Sequence, residues 1–373
     1  MSFLLITHVK HKLHHGRYYA YGPYVREMNL WFKHVKQVTV IAPMDKSVSP
    51  DAIDLAYEHP TIRFVTVPEF HFTSLSGMIN SCIVVPYILY VIWCTMWRAS
   101  HIHLRCPGNM GLLGCMVQLL FPWKKKSAKY AGNWDPKSKQ PLSYRMQKYI
   151  LRNMFLTKSM QTLVYGEWPD RTKNILPFFT ASYTESDKVA VPKKTMHDGV
   201  IRFLFVGTLT ANKQPMMALK VFHSLIKTNN RSMEMHFYGE GPERVALTEY
   251  IHSNQLQNYA YLHGNVNSEQ LKRAYMQSHF LLFFSKSEGW PKAVSEAMWW
   301  GCVPVTSPVS CVRWMLNNGK GGVLIESLEL CVQKVTAILN QSPYLYADMQ
   351  RTGMEWSRTY TVEEFERSII NLC

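Results

Sequence analysis

The sequence lacks the patterns that mark several common classes of protein. Its eight cysteines include no CxxC pair, so neither a disulfide framework nor a zinc site is expected, and their mostly apolar surroundings are typical of reduced, buried thiols. No opening stretch combines basic residues, an apolar run and a small-residue cleavage site, and Met1–Thr7 is typical of a short strand. Zinc-finger spacing, RNP-like aromatics and a helix-turn-helix signature are also missing, which argues against nucleic acid as a partner. These absences favour a cytoplasmic protein.

Acidic residues are scarce in the first part of the chain. Residues 1–200 hold 25 Lys and Arg against 12 Asp and Glu, a formal charge of +13, whereas residues 201–373 hold 16 against 14, a charge of +2. A basic half suits nucleic acid, an anionic membrane surface or phosphorylated small molecules, and charge alone does not choose among them.

Charge of either sign is absent from Phe70 to Trp97. Within this stretch, Met78–Trp97 approaches the length of a bilayer span, but Pro86 and several polar residues interrupt it, and Arg98 follows directly. The interruptions favour a buried helix, or one that docks on a membrane surface, over a transmembrane span.

Length and composition predict two domains, because 373 residues with 47% hydrophobic content exceed what one ordinary core accommodates. Apolar strands alternate with longer helix-like stretches in both halves, which predicts an α/β class with parallel sheets. We expect an N-terminal domain over 1–183, a linker over 184–199, a second domain over 200–345 and a C-terminal helical segment over 346–373. The predicted strands are FLLIT, QVTVIAP, IRFVTV, HIHLRC and KSAKYAG in the first half, and IRFLFVG, EMHFYG, AYLHG, HFLLFF and VPVTS in the second.

The strongest local pattern spans residues 280–306, where an apolar strand leads into a Ser/Gly loop and a short helix. Pro291 suits the first helical turn and Gly301 the position after the last, which predicts a helix near 291–300. Its N-terminus would follow the carboxyl end of a parallel strand, where free N–H groups attract an anion such as a diphosphate. Glu288 precedes this helix, and Glu296, eight residues later, would line the same crevice at another depth.

The segment EGWPKAVSEAMWWGCVPV, which starts at Glu288, resembles the E-x7-E segment of family-four retaining glycosyltransferases. The resemblance extends to VGTLTANKQP from Val206, YGEGPER from Tyr238 and LHGNV from Leu262. It implies the GT-B fold, in which two doubly wound Rossmann-like domains face a cleft. The first domain would bind the acceptor and the second a nucleotide-sugar donor, and the last helix would pack back on the first domain.

The same resemblance implies roles for individual residues in the second half. Glu288 would contact donor sugar hydroxyls, Glu296 the ribose and Lys213 the diphosphate, although a solvated Glu296 and a plain surface Lys213 remain alternatives. The family often has an arginine after the strand glycine, Gly207, but this chain has Thr208 there. Possible replacements for that missing cation are Arg17, Arg105 and the helix N-terminus formed by Gly289, Trp290, Pro291 and Lys292.

Further candidates follow from the resemblance with a structural alternative beside each. Gly241, Gly264 and Val266 would shape the nucleotide pocket, or simply form strand-end turns. Gly16, in the basic loop Thr7–Tyr24, would let backbone N–H groups approach the donor phosphate, or simply belong to a flexible basic loop. His103, which alternates with His101 and Arg105, would hydrogen-bond the donor sugar, or be a core histidine. Independently of the resemblance, Lys124, Lys125, Lys126 and Lys129 form a basic and aromatic patch with Trp123 that would touch anionic lipid headgroups, or be an ordinary solvated charge run.

The predicted activity is transfer of a sugar from a nucleotide-diphosphate donor, with retention of configuration, to a glycan or lipid-linked glycan acceptor in polysaccharide or cell-surface glycan biosynthesis. A UDP-sugar is favoured over a GDP-sugar as co-substrate, and no cofactor is expected. The absence of an Asp-x-Asp pair predicts no bound metal. We expect a cytoplasmic enzyme with a possible peripheral site on the inner membrane face. The alternatives are an inactive sugar-nucleotide-binding protein, suggested by Thr208, and a sugar-nucleotide epimerase or phosphorylase of the same fold.

Overall fold

A computed structural model describes residues 2–45, 47, 49–70, 75–192, 194, 196, 199–340 and 343–372, without the side chains of residues 75–80 and 343. Residues 71–74 of the uncharged segment, residues 193, 195, 197 and 198 of the predicted linker, and Cys373 lie outside the described residues. The chain folds into two compact units. Unit 1 comprises Met1–Phe178 and Phe365–Cys373, and unit 2 comprises Phe179–Glu364.

Unit 1 is built on a seven-stranded, all-parallel sheet in the order β10-β9-β8-β7-β1-β4-β6, with a small antiparallel sheet in the order β2-β3-β5. Its strands are β1 Ser2–Ile6, β2 Lys12–His14, β3 Arg17–Tyr21, β4 Gln37–Ala42, β5 Asp54–Ala56, β6 Ile62–Thr66, β7 His101–Cys106, β8 Lys125–Tyr130, β9 Met160–Tyr165 and β10 Ile175–Phe178. Its helices are α1 Gly22–Phe32, α2 Leu75–Arg98, α3 Asn109–Val117 and α4 Leu142–Arg152.

The connections of unit 1 distribute the helices over both faces of the sheet. The chain moves along the sheet in one direction from β6 through β7 and β8 to β9, and in the other from β1 to β4. Right-handed crossovers therefore place α2, α3 and α4 on one face and α1 on the opposite face. In agreement, α3 packs against both α2 and α4.

Within the described part of the chain, α2 is the single helix long and apolar enough to cross a membrane by length and composition. Its Ile88, Ile92 and Met96 side chains are fully buried and belong to the core of unit 1. The expectation of one long helix in this segment agrees with the structure.

A buried cluster of charge joins strands β7 and β8 to α1. Glu27 accepts hydrogen bonds from Arg105 at 2.5 Å and from Lys129 at 2.8 Å. Lys129 is completely buried, and its Nζ lies 5.2, 5.2 and 4.9 Å from the ring centroids of Tyr165, Phe178 and Phe365. Burial lowers the pKa of Lys129 to about 8 in spite of Glu27. Three aromatic rings and one carboxylate thus stabilise the positive charge of this buried ammonium.

Unit 2 contains a six-stranded, all-parallel sheet in the order β13-β12-β11-β14-β15-β16. Its strands are β11 Ile201–Val206, β12 Met233–Tyr238, β13 Ala260–Gly264, β14 Phe280–Phe283, β15 Val303–Thr306 and β16 Val323–Leu324. Its helices are α5 Pro215–Thr228, α6 Arg244–Ser253, α7 Ser268–Gln277, α8 Lys292–Trp299, α9 Val312–Met315, α10 Leu328–Asn340 and α11 Pro343–Ser357, and α12 Val362–Ile370 runs from unit 2 into unit 1.

The predicted α/β class is confirmed, and all ten predicted strands are present. The predicted linker 184–199 falls inside unit 2. There, the Glu185 N–H donates a hydrogen bond to the Glu363 carboxylate, and the Glu185 carboxylate accepts one from the Thr361 hydroxyl. Of the predicted C-terminal segment 346–373, only Phe365–Cys373 is part of unit 1. Helix α11 packs instead on α8.

The cysteines of the described residues are free, and those at positions 106, 115, 302, 311 and 331 are buried. This agrees with the prediction of reduced thiols. Burial raises the pKa of the Cys302 and Cys331 thiols to about 12, which keeps them protonated and unreactive at neutral pH.

Candidate functional site

An ion pair joins two loops at the carboxyl end of the unit 2 sheet. Lys213 Nζ lies 2.6 Å from Glu288 Oε1, and the two side chains are 24% and 11% exposed. Lys213 follows β11 and Glu288 follows β14, and these strands are neighbours in the sheet. The ammonium also lies 5.4 Å from the Phe283 ring centroid. The structure therefore brings together two of the residues that the sequence assigned to one site.

Asn212, which the sequence analysis did not single out, fixes this arrangement. Its side-chain amide donates to Ser285 Oγ at 3.3 Å and to the Ser287 carbonyl at 3.0 Å. Its own carbonyl accepts from the Lys286 N–H at 2.8 Å. Asn212 thereby ties the loop carrying Lys213 to the loop carrying Glu288. In the sequence, its position next to Lys213 was the only feature that could have indicated Asn212 as a site residue.

The glycines at the ends of β11, β12 and β13 allow three loops to approach closely. The Gly239 N–H donates to the Gly264 carbonyl at 2.8 Å, and the Leu209 N–H to the Glu240 carbonyl at 2.9 Å. A Cβ on Gly239 would lie 2.0 Å from the Gly207 carbonyl oxygen, and one on Gly241 would lie 2.5 Å from that of Leu209. Close packing of these loops is a sufficient reason for glycine at 239 and 241.

Helix α8 begins at Lys292, one residue later than predicted, and Pro291 is its N-cap with φ −76° and ψ 82°. Its C-terminus follows the prediction, since Gly301 has a φ of +66°. The Gly301 N–H donates to Met298 and the Cys302 N–H to Ala297, which is the Schellman pattern. The helix is therefore eight residues long, with its N-terminus just after the Glu288 loop.

The loop before α8 is held by buried contacts on its other side. The Gly289 carbonyl accepts from Ser310 Oγ at 2.9 Å. Trp290 is buried, and its ring stacks on Trp356 at 6.1 Å and lies 6.2 Å from Trp314. The Trp290 side chain is thus a packing anchor, and only its backbone is available for an anion.

Glu296 lies within α8 and does not contact Lys213 or Glu288. Its carboxylate accepts from Ser182 Oγ at 2.9 Å and from Tyr275 OH at 3.4 Å. Lys292 Nζ lies 3.8 Å away on the same helix, and the Glu296 side chain is 15% exposed. Burial and the Glu296 charge raise the pKa of the Tyr275 phenol well above its ordinary value, so the phenol stays a donor. A partly exposed carboxylate with such neighbours retains acceptor capacity for further hydroxyl groups.

The structure corrects the predictions for His103 and Arg105. Strand alternation does send His101, His103 and Arg105 to one side, but that side is the interior under α1. His103 is fully buried, with Trp31 at 4.6 Å and Phe3 at 5.7 Å between ring centroids. It therefore has no surface for a sugar. Arg105 is engaged by Glu27, so its charge is not available to a phosphate.

His101 and His103 share one hydroxyl in this interior. Ser127 Oγ lies 2.7 Å from His101 Nε2 and 2.8 Å from His103 Nδ1. The remaining ring nitrogens, His101 Nδ1 and His103 Nε2, have no hydrogen-bond partner among the described residues. Burial lowers the pKa of His101 to about 3 and that of His103 well below its ordinary value. Both histidines are therefore neutral core residues.

The basic patch near Trp123 is also different from the one predicted. Lys126 is buried and donates to Gln118 Oε1 at 2.9 Å and to the Phe121 carbonyl at 3.0 Å. Lys129 is buried against Glu27. Lys124 donates to two carbonyls at the end of α2, and Lys125 remains exposed. Strand β8 lies inside the sheet with both faces covered, so Lys126 and Lys129, which point to opposite faces, are both buried.

In unit 1, Gly16 lies at the turn of the hairpin β2–β3. His15 and Gly16 have φ values of +47° and +73°, as a type I′ turn requires, and a Cβ on Gly16 would meet nothing within 4 Å. The hairpin thus accounts for this glycine. Arg17 follows on the same exposed tip.

A cavity of about 260 Å³ opens at the carboxyl ends of β1 and β7, and the sequence analysis did not predict it. Its lining includes His8, Lys10, Glu69, Asn109 and Tyr144. Burial, and next the charge of Arg105, lower the pKa of His8, so this imidazole is neutral at pH 7. In the sequence, the position of His8 two residues after β1 was the feature that could have indicated this residue. Across the described residues, no group of three or more His, Cys, Asp or Glu is placed to hold a metal ion.

Comparison with known proteins shows which family the part of the chain around this site resembles. Residues 188–356 match the family model described as glycosyl transferases group 1. This part of the chain, which contains Lys213, Glu288 and Glu296, is therefore similar to group 1 glycosyltransferases. No curated protein sequence matches the chain.

Solved structures extend the likeness to both units. The sucrose-phosphate synthase of Thermosynechococcus elongatus is 15% identical with a TM-score of 0.66, over 100% of this chain and 98% of that chain. Anabaena Alr3699/HepE in complex with UDP is 12% identical with a TM-score of 0.68, over 99% and 98%. S. aureus TarM is 17% identical with a TM-score of 0.56, over 73% of this chain and 54% of its own, so the chain spans about half the length of TarM. The fold is GT-B, with two Rossmann-like domains.

Proposed function

We propose that this protein is a retaining glycosyltransferase that moves a sugar from a nucleotide-diphosphate donor to a glycan or lipid-linked glycan in the cytoplasm, in polysaccharide or cell-surface glycan biosynthesis. The observation that carries the proposal is the Lys213–Glu288 ion pair beside the N-terminus of α8. It lies within the part of the chain that matches the group 1 family. A cation, a carboxylate and a helix N-terminus at one sheet edge suit a sugar attached to a diphosphate.

Lys213 and the start of α8 would hold the diphosphate. An ammonium group has three N–H donors, and Glu288 occupies one of them. The others would reach phosphate oxygens, while the positive end of the helix dipole adds to the attraction. Both groups would become more effective as negative charge accumulates on the leaving phosphate, which is how preorganised charge lowers a barrier.

The reaction breaks the bond between the anomeric carbon and the phosphate oxygen. The electron pair of that bond goes to the phosphate oxygen, which Lys213 stabilises. The acceptor hydroxyl oxygen bonds to the anomeric carbon on the same face, and its proton passes to the departing phosphate. This course retains the configuration and uses no protein base and no metal. Glu288, fixed by Lys213, would accept hydrogen bonds from donor sugar hydroxyls.

Glu296 would serve the nucleotide end of the donor. The Ser182 and Tyr275 hydroxyls hold its carboxylate, so its orientation is set before a ligand arrives. The ribose, with two adjacent hydroxyls, matches such a carboxylate. A UDP-sugar is the preferred donor in this proposal, because several structures with this fold contain UDP.

Nucleotide binding and sugar transfer test the proposal separately. We expect UDP to raise the melting temperature more than GDP does, and a UDP-sugar to yield free UDP together with a new glycoside. In Lys213→Ala, affinity for UDP should fall about tenfold and turnover at saturating donor about 100-fold, because the lost charge matters most in the transition state. Glu288→Gln should lower turnover more than affinity.

Exposed residues elsewhere in unit 2 provide matched controls. Lys220→Ala, on α5, and Glu249→Gln, on α6, remove the same charges from exposed positions and should leave binding and turnover unchanged. If Lys220→Ala and Lys213→Ala had the same effect, or if a product of inverted configuration formed, the proposal would be wrong.

A second candidate, an inactive sugar-nucleotide-binding protein, is favoured by one observation. Thr208 is exposed after β11, where a second cation beside Lys213 would otherwise face the diphosphate. This candidate predicts UDP binding without glycoside formation or UDP release from any donor. In that case Glu288→Gln would alter the melting shift produced by the nucleotide sugar and nothing else.

A further inference from the structure

Helix α2 is apolar on its exposed side as well as on its buried side. Ile88, Ile92 and Met96 enter the core of unit 1, whereas Tyr90 and Trp97 are 63% and 61% exposed. Together with them, an exposed stripe at helical spacing is formed by Ile83, Tyr87 and Trp93. A helix on the surface of a globular domain normally presents charged and polar residues to water. The stripe therefore needs a partner other than water.

The apolar surface continues across the neighbouring helices. Because α3 packs between α2 and α4, the exposed sides of the three helices form one surface, which we name the outer face. Beside the α2 stripe, it carries the exposed residues Met116, Leu119, Leu120 and Trp123 around the end of α3, Leu142, Met146 and Tyr149 on α4, and Met154 and Phe155 just after α4. Phe155 is 90% exposed. An apolar patch of this extent marks a binding surface.

The charges around the outer face have one sign. Asp135 is the only acidic residue between Glu69 and Glu167, a stretch that contains all three helices. The exposed basic residues of the same stretch are Arg98, Lys125, Lys137, Lys139, Arg145 and Lys158. Arg145 lies on α4 between Leu142 and Met146, so cationic and apolar groups are mixed. Such a surface attracts an anionic partner, and a second copy of the same basic face would repel it.

We propose that the outer face docks on an anionic lipid bilayer, with α2 lying in the plane of the headgroups. Tyr and Trp side chains prefer that depth, and the flanking arginines and lysines pair with anionic headgroups. The 24 residues of α2 could also cross a bilayer by length. A span would have to remove Ile88, Ile92 and Met96 from the core, so α2 lies on the membrane while remaining part of unit 1.

Cosedimentation with vesicles, without any nucleotide, tests the proposal using the full chain. We expect binding to vesicles of phosphatidylcholine with phosphatidylglycerol, and at least tenfold weaker binding to phosphatidylcholine alone. The triple variant Tyr90→Ser, Trp93→Ser, Trp97→Ser should lose most of the binding. The double variant Arg98→Glu, Arg145→Glu should weaken it and reduce its dependence on salt.

The control removes exposed apolar side chains from unit 2 instead. Val245, Tyr259 and Tyr344 are exposed there, and changing all three to Ser should leave vesicle binding unchanged. A melting curve for each variant shows whether it folds. Equal binding of the first triple variant and this control would overturn the proposal. So would dimerisation through the outer face without vesicle binding, or membrane attachment that resists alkaline carbonate, which would indicate a span.

Vesicle binding and sugar transfer have separate readouts. Failure to bind vesicles would not affect the proposed donor site. Conversely, Lys213→Ala, which should lose sugar transfer, should bind vesicles as the unmodified protein does.

Discussion

At the scale of the residue, Asn212 connects the two loops that carry Lys213 and Glu288. The hydrogen bonds from its side-chain amide to Ser285 and Ser287 set the separation of these loops. In Asn212→Ala, we expect turnover to fall about tenfold, because a small displacement of Lys213 from Glu288 weakens stabilisation of the leaving phosphate. UDP affinity should change less than threefold. Measured kcat and KM for the UDP-sugar test this, and Asn258→Ala, an exposed change after α6, is the control.

Individual site residues could be predicted where the chain itself places them. Lys213 and Glu288 each follow a parallel strand, and neighbouring strands bring such residues together. His103 shows the limit of the same reasoning. Alternation along β7 shows which residues share a side, but both sides of a central parallel strand are covered. Whether a side is core or cleft depends on α1, whose Trp31 lies over His103.

At the scale of the element, the loops after β11 and β12 depend on Gly239. Its φ is +140°, and a Cβ would lie 2.0 Å from the Gly207 carbonyl oxygen. Gly239→Ala should therefore destabilise unit 2 by about 3 kcal/mol, through strain and through displacement of the Gly207 loop. Urea denaturation provides the measurement.

Gly319 is a matched position for this prediction. It has a φ of +98°, and a Cβ there would meet only Leu324 Cδ1, at 3.9 Å. Gly319→Ala should cost about 1 kcal/mol, from backbone strain alone. Equal losses at the two glycines would show that the contact with Gly207 contributes nothing.

Elements with strong local patterns were predicted, and those with weak patterns were not. The Schellman end of α8 could be read from Gly301, whereas the exact start could not, because Pro291 is compatible with both the N-cap and the first turn. Strand β10 was missed because Pro177 argues against a strand. As the edge strand of its sheet, β10 tolerates proline. The short strands β2, β3 and β5 occur in polar sequence without periodicity.

At the scale of the whole molecule, unit 1 contains several histidines that must stay neutral. Burial lowers the pKa of His11 to about 4 and that of His101 to about 3, and burial, with the nearby cations, lowers the pKa of His103 well below its ordinary value. An unfolded histidine titrates near pH 6.5, so below that pH the unfolded chain binds more protons than the folded one. The stabilisation is complete above about pH 6.5 and is lost as the pH falls toward 4.

Melting curves between pH 7 and 5 check this dependence. We expect the melting temperature of unit 1 to decrease across this range, and His101→Gln to make the decrease shallower. His15→Gln, at the exposed hairpin tip, should leave the slope unchanged. A flat profile for the unmodified protein would contradict the assignment of neutral buried histidines.

The distribution of charge along the chain anticipated only part of the surface. The excess of +13 over residues 1–200 pointed to an anionic partner for the first half. The sequence could not show that Lys126 and Lys129 are buried and that only 11% of the Arg105 side chain is exposed, because long basic side chains enter a core when carboxylates, carbonyls or aromatic rings accept them. Nor could it show that the remaining basic residues surround one apolar face.

The contact between Lys129 and Phe365 bears on the order in which the protein becomes complete during synthesis. A ribosome makes Lys129, Tyr165 and Phe178 long before Phe365, with all of unit 2 translated in between. Until Phe365 is made, the Lys129 ammonium of the nascent chain lacks one of the three aromatic rings that contact it in the folded protein. Unit 1 therefore starts before unit 2 and is finished after it.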